Sequence, residues 1–246
     1  MILCVGDGHI HDDCRLNEWR RLTKYISEEM PSELIFSELR DPWASSSEKV
    51  TRTATYQLVR ALCAERYRRG LITRIVLGNH DWKEKKIYVA TLPGVQVLHR
   101  HENREFVFEH GWQKDWTWNA ISPVAFWIAD KWPSLGLTLY NLITRRTPGQ
   151  GKDEVYDACD PPGGHIELTD VLMYEALAED WNWHVELIHD RYRAKAQKTK
   201  SHIIWHTHCP WRFDGLIANC GDFIDSYTWL EIRGKGVKLC ALEDLQ

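Results

Sequence analysis

The sequence predicts an α/β sandwich. Its first half alternates short apolar runs of strand length with segments of helical apolar period, and each early strand ends directly in a polar cluster. After one long helical stripe, the last stretch returns to strands. Neither an all-helical nor an all-β domain carries this pattern.

Taken in order, Met1 to Val5 reads as a buried strand broken at Gly6. Leu16, Trp19, Leu22 and Ile26 then recur at helical spacing until Pro31, and Leu34 to Phe36 forms a second short strand. Ser45, Ser46 and Ser47 offer caps for a long helix with Tyr56, Val59, Leu62 and Cys63 inward, ending at Gly70. Ile72 to Leu77 is a third strand. From Lys86 to His110 the pattern becomes hairpin-like, with Val95 and Val97 in one strand and Phe106 and Phe108 in the next. The tryptophan-rich, proline-interrupted stretch from about 112 to 165 reads as an inserted helical cap, either a lid for an apolar part of a substrate or ordinary packing. A helix from about Asp170 to Lys198 follows, with Tyr174, Leu177, Trp181, Val185, Ile188 and Tyr192 on one stripe. Ile203 to Trp205, Leu216 to Ala218, Thr228 to Ile232 and Val237 to Leu239 close the chain as strands.

The 246 residues suit one domain carrying such an insertion, and 43% hydrophobic with 27% charged residues is the balance of a soluble globular chain. No apolar run is long enough to span a bilayer, so no stable membrane insertion is expected. The start, MILCVGDGHIHDD, lacks the basic beginning and apolar core of a secretory signal, so a cytoplasmic location is expected. Seven scattered cysteines without CxxC spacing speak against a disulfide framework or a structural zinc knot. The net charge of -4 gives no general attraction for nucleic acid, so a phosphate-bearing partner has to be held locally.

Five clusters of metal-capable side chains follow expected strands, where open α/β sheets gather their ligands. They are Gly6-Asp7-Gly8-His9, Ser37-Glu38-Leu39-Arg40-Asp41, Gly78-Asn79-His80-Asp81, Glu109-His110-Gly111 and Trp205-His206-Thr207-His208. Carboxylates and imidazoles on turns at these spacings can hold cations together. The remaining histidines, His99, His101, His165, His184, His189 and His202, read as ordinary surface or core residues.

The series resembles the calcineurin-like metallophosphoesterase superfamily, whose motifs run D-x-H, GDxxD, GNH[DE], a lone H before Gly, and GHxH. Four of the five stand here in order, and the likeness extends to Asn219-Cys220-Gly221-Asp222, similar to the family's Asn-x-Gly turn. The resemblance implies a four-layer sandwich of two mixed β-sheets flanked by helices, with the cap inserted. It implies that Asp7, His9 and His208 ligate one divalent ion and that Asn79, His110 and His206 ligate a second. Glu38 falls where the family has its bridging aspartate, and Asp41 falls on the later one. His80 would protonate the leaving oxygen, with Asp81 orienting its ring. Trp205 replaces the glycine before the paired histidines and is expected to narrow the pocket. An HG motif followed by a helical insertion also resembles the lipid A pathway pyrophosphatases that cleave UDP-diacylglucosamine, although those carry Arg where this chain has His80.

What the resemblance implies chemically is hydrolysis of a small phosphodiester, pyrophosphate or phosphomonoester, nucleotide-like or otherwise, by attack of a hydroxide shared between two ions. Two cations acidify a water and neutralise the phosphoryl oxygens. Mixed nitrogen and oxygen ligands favour Mn²⁺ first, with Fe or Zn²⁺ as alternatives. Nucleic acid is admitted as a partner without being indicated. The competing expectation is a non-catalytic scaffold or binding protein on the same fold with a weakened metal site, and Glu38 is the residue that discriminates.

Overall fold

The computed structural model describes residues 1–13, 15–41, 45–111, 188–211, 213–223 and 226–245. By its internal contacts the chain divides into two compact units, Met1–Trp112 with His189–Gln246 and Gln113–Ile188. The expected cap over about 112–165, and the expected long helix as far as residue 187, lie outside the described residues; residues 188–196 are helical.

Alternation of side chains builds the layers. Strands β1 (Ile2–Val5), β2 (Glu33–Ser37), β3 (Ile72–Val76) and β4 (Val95–Leu98) run parallel, and β9 (Thr228–Arg233) and β10 (Gly236–Ala241) join antiparallel at the β1 edge, in the order β10-β9-β1-β2-β3-β4. Leu3, Val5, Leu34, Phe36 and Ile75 face helices α1 (Leu16–Glu29) and α3 (Ala54–Arg68), while Cys4, Ile35, Val76, Leu230 and Ile232 face the other way. Against that second face packs a four-stranded mixed sheet, β5 (Arg100–Glu102), β6 (Phe106–Glu109), β7 (Ser201–Ile204) and β8 (Ile217–Asn219), through Phe106, Phe108, Ile203 and Ala218. Strands buried on both faces read as continuous apolar runs, which is why they were visible in the sequence. On the outer face of the smaller sheet the Tyr192 ring lies 5.4 Å from His202, and Lys195 reaches Glu109 at 2.5 Å. Two mixed sheets and flanking helices thus form a layered α/β arrangement.

Two local expectations are corrected. The single helix after Ser45 is two, α2 (Ser47–Arg52) and α3, because Thr53 takes an extended backbone and its hydroxyl accepts from the Tyr56 amide at 3.1 Å, capping a new helix. Residues 85–110 are not one hairpin: α4 (Lys85–Thr91) comes first, and β4 pairs parallel with β3 in the larger sheet while only β5 and β6 pair antiparallel. The chain changes sheets at His99, a long-range choice that local alternation cannot encode. All five described cysteines are free, and among the described residues no helix is long and apolar enough to cross a membrane.

Candidate metal centre

Six strand ends converge. β1, β2 and β3 are parallel in one sheet and β6, β7 and β8 in the other, and the turns leaving them carry Asp7 and His9, Glu38 and Asp41, Asn79 and His80, His110, His206 and His208, and Asp222. The turns are sharp. Asp7, His9, Glu38, His206 and His208 all have positive φ, from 23° to 65°, in the left-handed region that non-glycine residues rarely occupy. Each costs on the order of 1–3 kcal/mol, so five together mark a place where geometry is kept at the expense of stability.

The floor is two fully buried carboxylates. His110 Nε2 stands 3.2 Å from Asp7 Oδ1 and 3.0 Å from Glu38 Oε2, and His9 Nε2 stands 3.3 Å from the same Glu38 oxygen. Glu38 Oε1 accepts from the His80 amide, so its other oxygen is the one that faces His9 and His110. His208 Nε2 lies 3.7 Å from Asp7 Oδ2, and His206 Nδ1 lies 3.1 Å from Asn79 Oδ1. The His110 and His206 rings meet edge to face at 5.1 Å. Asp7–His9–His208, His9–Glu38–His80 and Asp7–Glu38–His110 each bring ligand atoms within 4.8 Å of one another. All seven residues expected as ligands therefore lie in one cluster, with Asp7 and Glu38 each common to two of the three groups.

The donor set fits divalent cations. Asp7 Oδ1 and His9 Nε2 are buried and make no hydrogen bond, although partners of opposite character stand 3.2 and 3.3 Å away. One imidazole N–H cannot serve two carboxylates, and buried carboxylates without a cation are costly. Burial opposes ionisation of Asp7 and Glu38, but His110 prevails and holds both below the usual carboxylate range, Glu38 well below it. Burial likewise opposes a charge on His110, yet Glu38 and Asp7 raise it to about 10. His9, where burial dominates, falls to about 4.

Around the floor stands a supporting shell that the sequence did not reveal. His80 is partnered by Asp41, Nδ1 to Oδ1 at 3.2 Å, and not by Asp81. The Asp81 carboxylate instead turns back to accept from the Gly78 amide at 2.8 Å and the Tyr88 hydroxyl at 2.5 Å, fixing the loop after β3. Burial lowers His80 in principle, but Glu38 and Asp41 raise it to about 9. His208 Nδ1 meets Asp222 Oδ2 at 2.8 Å, and Ser226 steadies Asp222. A carboxylate behind a ligating imidazole fixes its orientation and strengthens it as a donor. Asp222 closes the Asn219-Cys220-Gly221-Asp222 turn noted in the sequence, but that turn gave no sign that its carboxylate meets His208.

Asn219 ties the paired-histidine turn. Its amide nitrogen reaches the Trp205 carbonyl at 3.0 Å and the Thr207 hydroxyl at 2.7 Å, while its oxygen accepts from the Gly221 amide at 2.9 Å. Asn219→Ala is expected to weaken Mn²⁺ binding by roughly ten- to a hundredfold. Calorimetric titration checks this, and unchanged affinity with a lowered Tm would assign Asn219 to the fold alone. Trp205 does not narrow the site. It is buried between the sheets, where a Cβ on Gly6 would come within 2.4 Å of its ring, so the bulk that replaces a glycine is absorbed by the core. His101, His189 and His202 are structural, as expected: His101 Nε2 faces Glu33 at 3.1 Å, His202 Nδ1 faces Glu109 at 2.9 Å, and His189 Nε2 lies 3.3 Å from Asn219.

No family model and no curated protein matches the chain. Among solved structures, the Pseudomonas putida nuclease MPE is 12% identical, aligned over 99% of this chain and 86% of that one at a TM-score of 0.44. A second solved structure is 16% identical over 98% of each chain at a TM-score of 0.39.

Proposed function

We propose that the chain is a metal-dependent phosphoesterase of the calcineurin-like metallophosphoesterase type, hydrolysing a small phosphodiester, pyrophosphate or phosphomonoester. The observation that carries this reading is the convergence of Asp7, His9, Glu38, Asn79, His110, His206 and His208 from five strand ends onto two shared, buried carboxylates.

In this reading Asp7, His9 and His208 would hold one ion, Asn79, His110 and His206 would hold another, and Glu38, whose Oε2 faces both His9 and His110, would serve both sets. Mixed imidazole, carboxylate and amide ligands suit Mn²⁺, Fe or Zn²⁺. Bound there, two divalent ions supply positive charge against the phosphoryl oxygens and acidify water. The chain's own residues supply the rest. His80, Asp41, His206 and His208 are the partly exposed members of the cluster, so they form the side on which an ester would approach. Glu38 and Asp41 raise His80 toward its protonated form, and with Nδ1 turned to Asp41, Nε2 would be the donor to the leaving oxygen. Asp81 and Tyr88 keep the Asn79-His80 turn in register with Glu38, whose Oε1 takes the His80 amide.

A non-catalytic scaffold would need none of the left-handed backbone at five site residues, and that costly geometry favours the enzyme. The decisive experiment is Mn²⁺-dependent hydrolysis of bis-p-nitrophenyl phosphate and p-nitrophenyl phosphate by wild type and Asn79→Ala, with metal content measured alongside. Wild type is expected to turn over at least one ester and Asn79→Ala to lose most of that rate. No metal-dependent turnover of either ester, with less than one ion per chain, would overturn the proposal.

A further inference from the structure

Trp211 is exposed at the end of the molecule where the metal centre lies. Among the described residues the large exposed apolar side chains are Tyr67, Ile72, Val89 and Trp211. Ile72 opens β3 and Tyr67 crowds Gly94 just before β4, so both sit at the amino ends of strands, away from the site; Val89 lies on α4. Trp211 stands three residues beyond His208. Its Cα therefore lies within about 11 Å of that of His208.

The side chain is held rather than loose. Trp211 and Asn219 exchange both backbone hydrogen bonds at 3.0 Å, and the indole packs edge to face on His189 with centroids 5.2 Å apart. Asn219 and His189 are the groups that also hold Thr207, between the paired histidines. One set of contacts thus fixes the ligand turn and the indole together, yet 39% of Trp211 remains exposed. A rigid indole facing water beside a site for phosphate esters offers a face to a planar ring, and aromatic stacking accepts any base.

We propose that Trp211 is a stacking platform for the nucleobase of a nucleoside phosphate whose phosphate sits at the metal centre. This deepens the phosphoesterase reading and rests on it for the identity of the phosphate site. It narrows the substrate class to phosphate esters carrying an aromatic heterocycle.

The test reads binding apart from turnover. Protein labelled with 5-fluorotryptophan carries thirteen reporters, and Trp211→Phe identifies the Trp211 fluorine resonance by its loss. In the presence of Zn²⁺, thymidine 5′-monophosphate is expected to move that resonance and deoxyribose 5-phosphate to leave it in place. Trp211→Ala should weaken the nucleotide about tenfold, Trp211→Phe less, and neither should change the affinity for the sugar phosphate. A Trp211 resonance that does not respond to the nucleotide, or equal weakening of both ligands, overturns the platform. A response without hydrolysis of any ester would leave the platform standing and remove the phosphoesterase reading; hydrolysis without a response would do the reverse.

Discussion

Gly78→Ala is expected to strip the centre of metal although residue 78 ligates nothing. A Cβ built on Gly78 would lie 2.5 Å from the Glu38 carboxyl carbon and Oε1 and 2.8 Å from the Glu38 Cβ, closer than atoms can approach. The φ of Gly78 is not in the left-handed region, so alanine is opposed by the Glu38 side chain and not by its own backbone. Glutamate at position 38 is longer by one methylene than the aspartate of the family it resembles, and the missing side chain at Gly78 is where that extra length goes. Driving Glu38 out removes the oxygen that faces both His9 and His110. Metal content should fall from two ions per chain toward one, and Mn²⁺-dependent turnover by at least about a hundredfold, the upper end of losses seen when even a supporting group is removed. Glu38→Ala should fail in the same way. Glu38→Gly removes every Glu38 atom that a Cβ on Gly78 would meet, so adding Gly78→Ala to Glu38→Gly should cost little more than Glu38→Gly alone, and the cycle of four proteins measures this. Full metal content and rate in Gly78→Ala would show that Glu38 does not join the two ligand sets.

Glu38 also shows how far the site was legible in the sequence. Strands buried on both faces leave continuous apolar runs, and the turns at their ends leave compact polar clusters, so the five clusters could be picked out from the sequence pattern, and the resemblance to the family's motifs singled out Asp7, His9, Glu38, Asn79, His80, His110, His206 and His208 within them. Spacing along a turn does not say which way a carboxylate points. Asp81, next to His80 in sequence, turns back onto the Gly78 amide, while Asp41, thirty-nine positions away, meets the His80 ring. The Asn219-Cys220-Gly221-Asp222 turn was legible through its likeness to the family's Asn-x-Gly turn, but its partners were not, since His208 and Thr207 lie across a strand pair. Trp205 misled through volume: a large residue in place of glycine suggests a filled pocket, but the preceding strand alternates and sends the indole between the sheets. The break at Thr53 and the change of sheet after β4 depend, in turn, on one hydroxyl and on distant pairing, neither of which periodicity encodes.

If the cluster holds metal as proposed, protons and metal ions compete for it, and their competition should dominate the stability of the protein. Without metal, Asp7 and Glu38 titrate below their ordinary range, so the stability they lend is present above it and is lost as pH falls through their folded values. His9, lowered to about 4, acts in the same sense between the ordinary imidazole value and about 4. His110, raised to about 10, acts oppositely: its contribution is complete below an ordinary pKa of about 6.5 and drains away as pH rises toward 10. The metal-free protein should therefore be most stable near pH 6.5 and weaken on both sides. Ligation needs His110 without its proton, so each ion bound there releases one. Lowering the pH from 8 to 6 should weaken apparent affinity roughly a hundredfold for a single released proton. At a free concentration about a thousand times Kd, one ion adds about 4 kcal/mol, or roughly 10 °C in Tm for a chain of this size. Melting curves at pH 6, 7 and 8 with and without Mn²⁺ should show the gain growing with pH, and titration in buffers of different ionisation enthalpy should show the released proton. A gain that stays constant across this range, with no proton released, would place the ion away from His110 and the two carboxylates it faces.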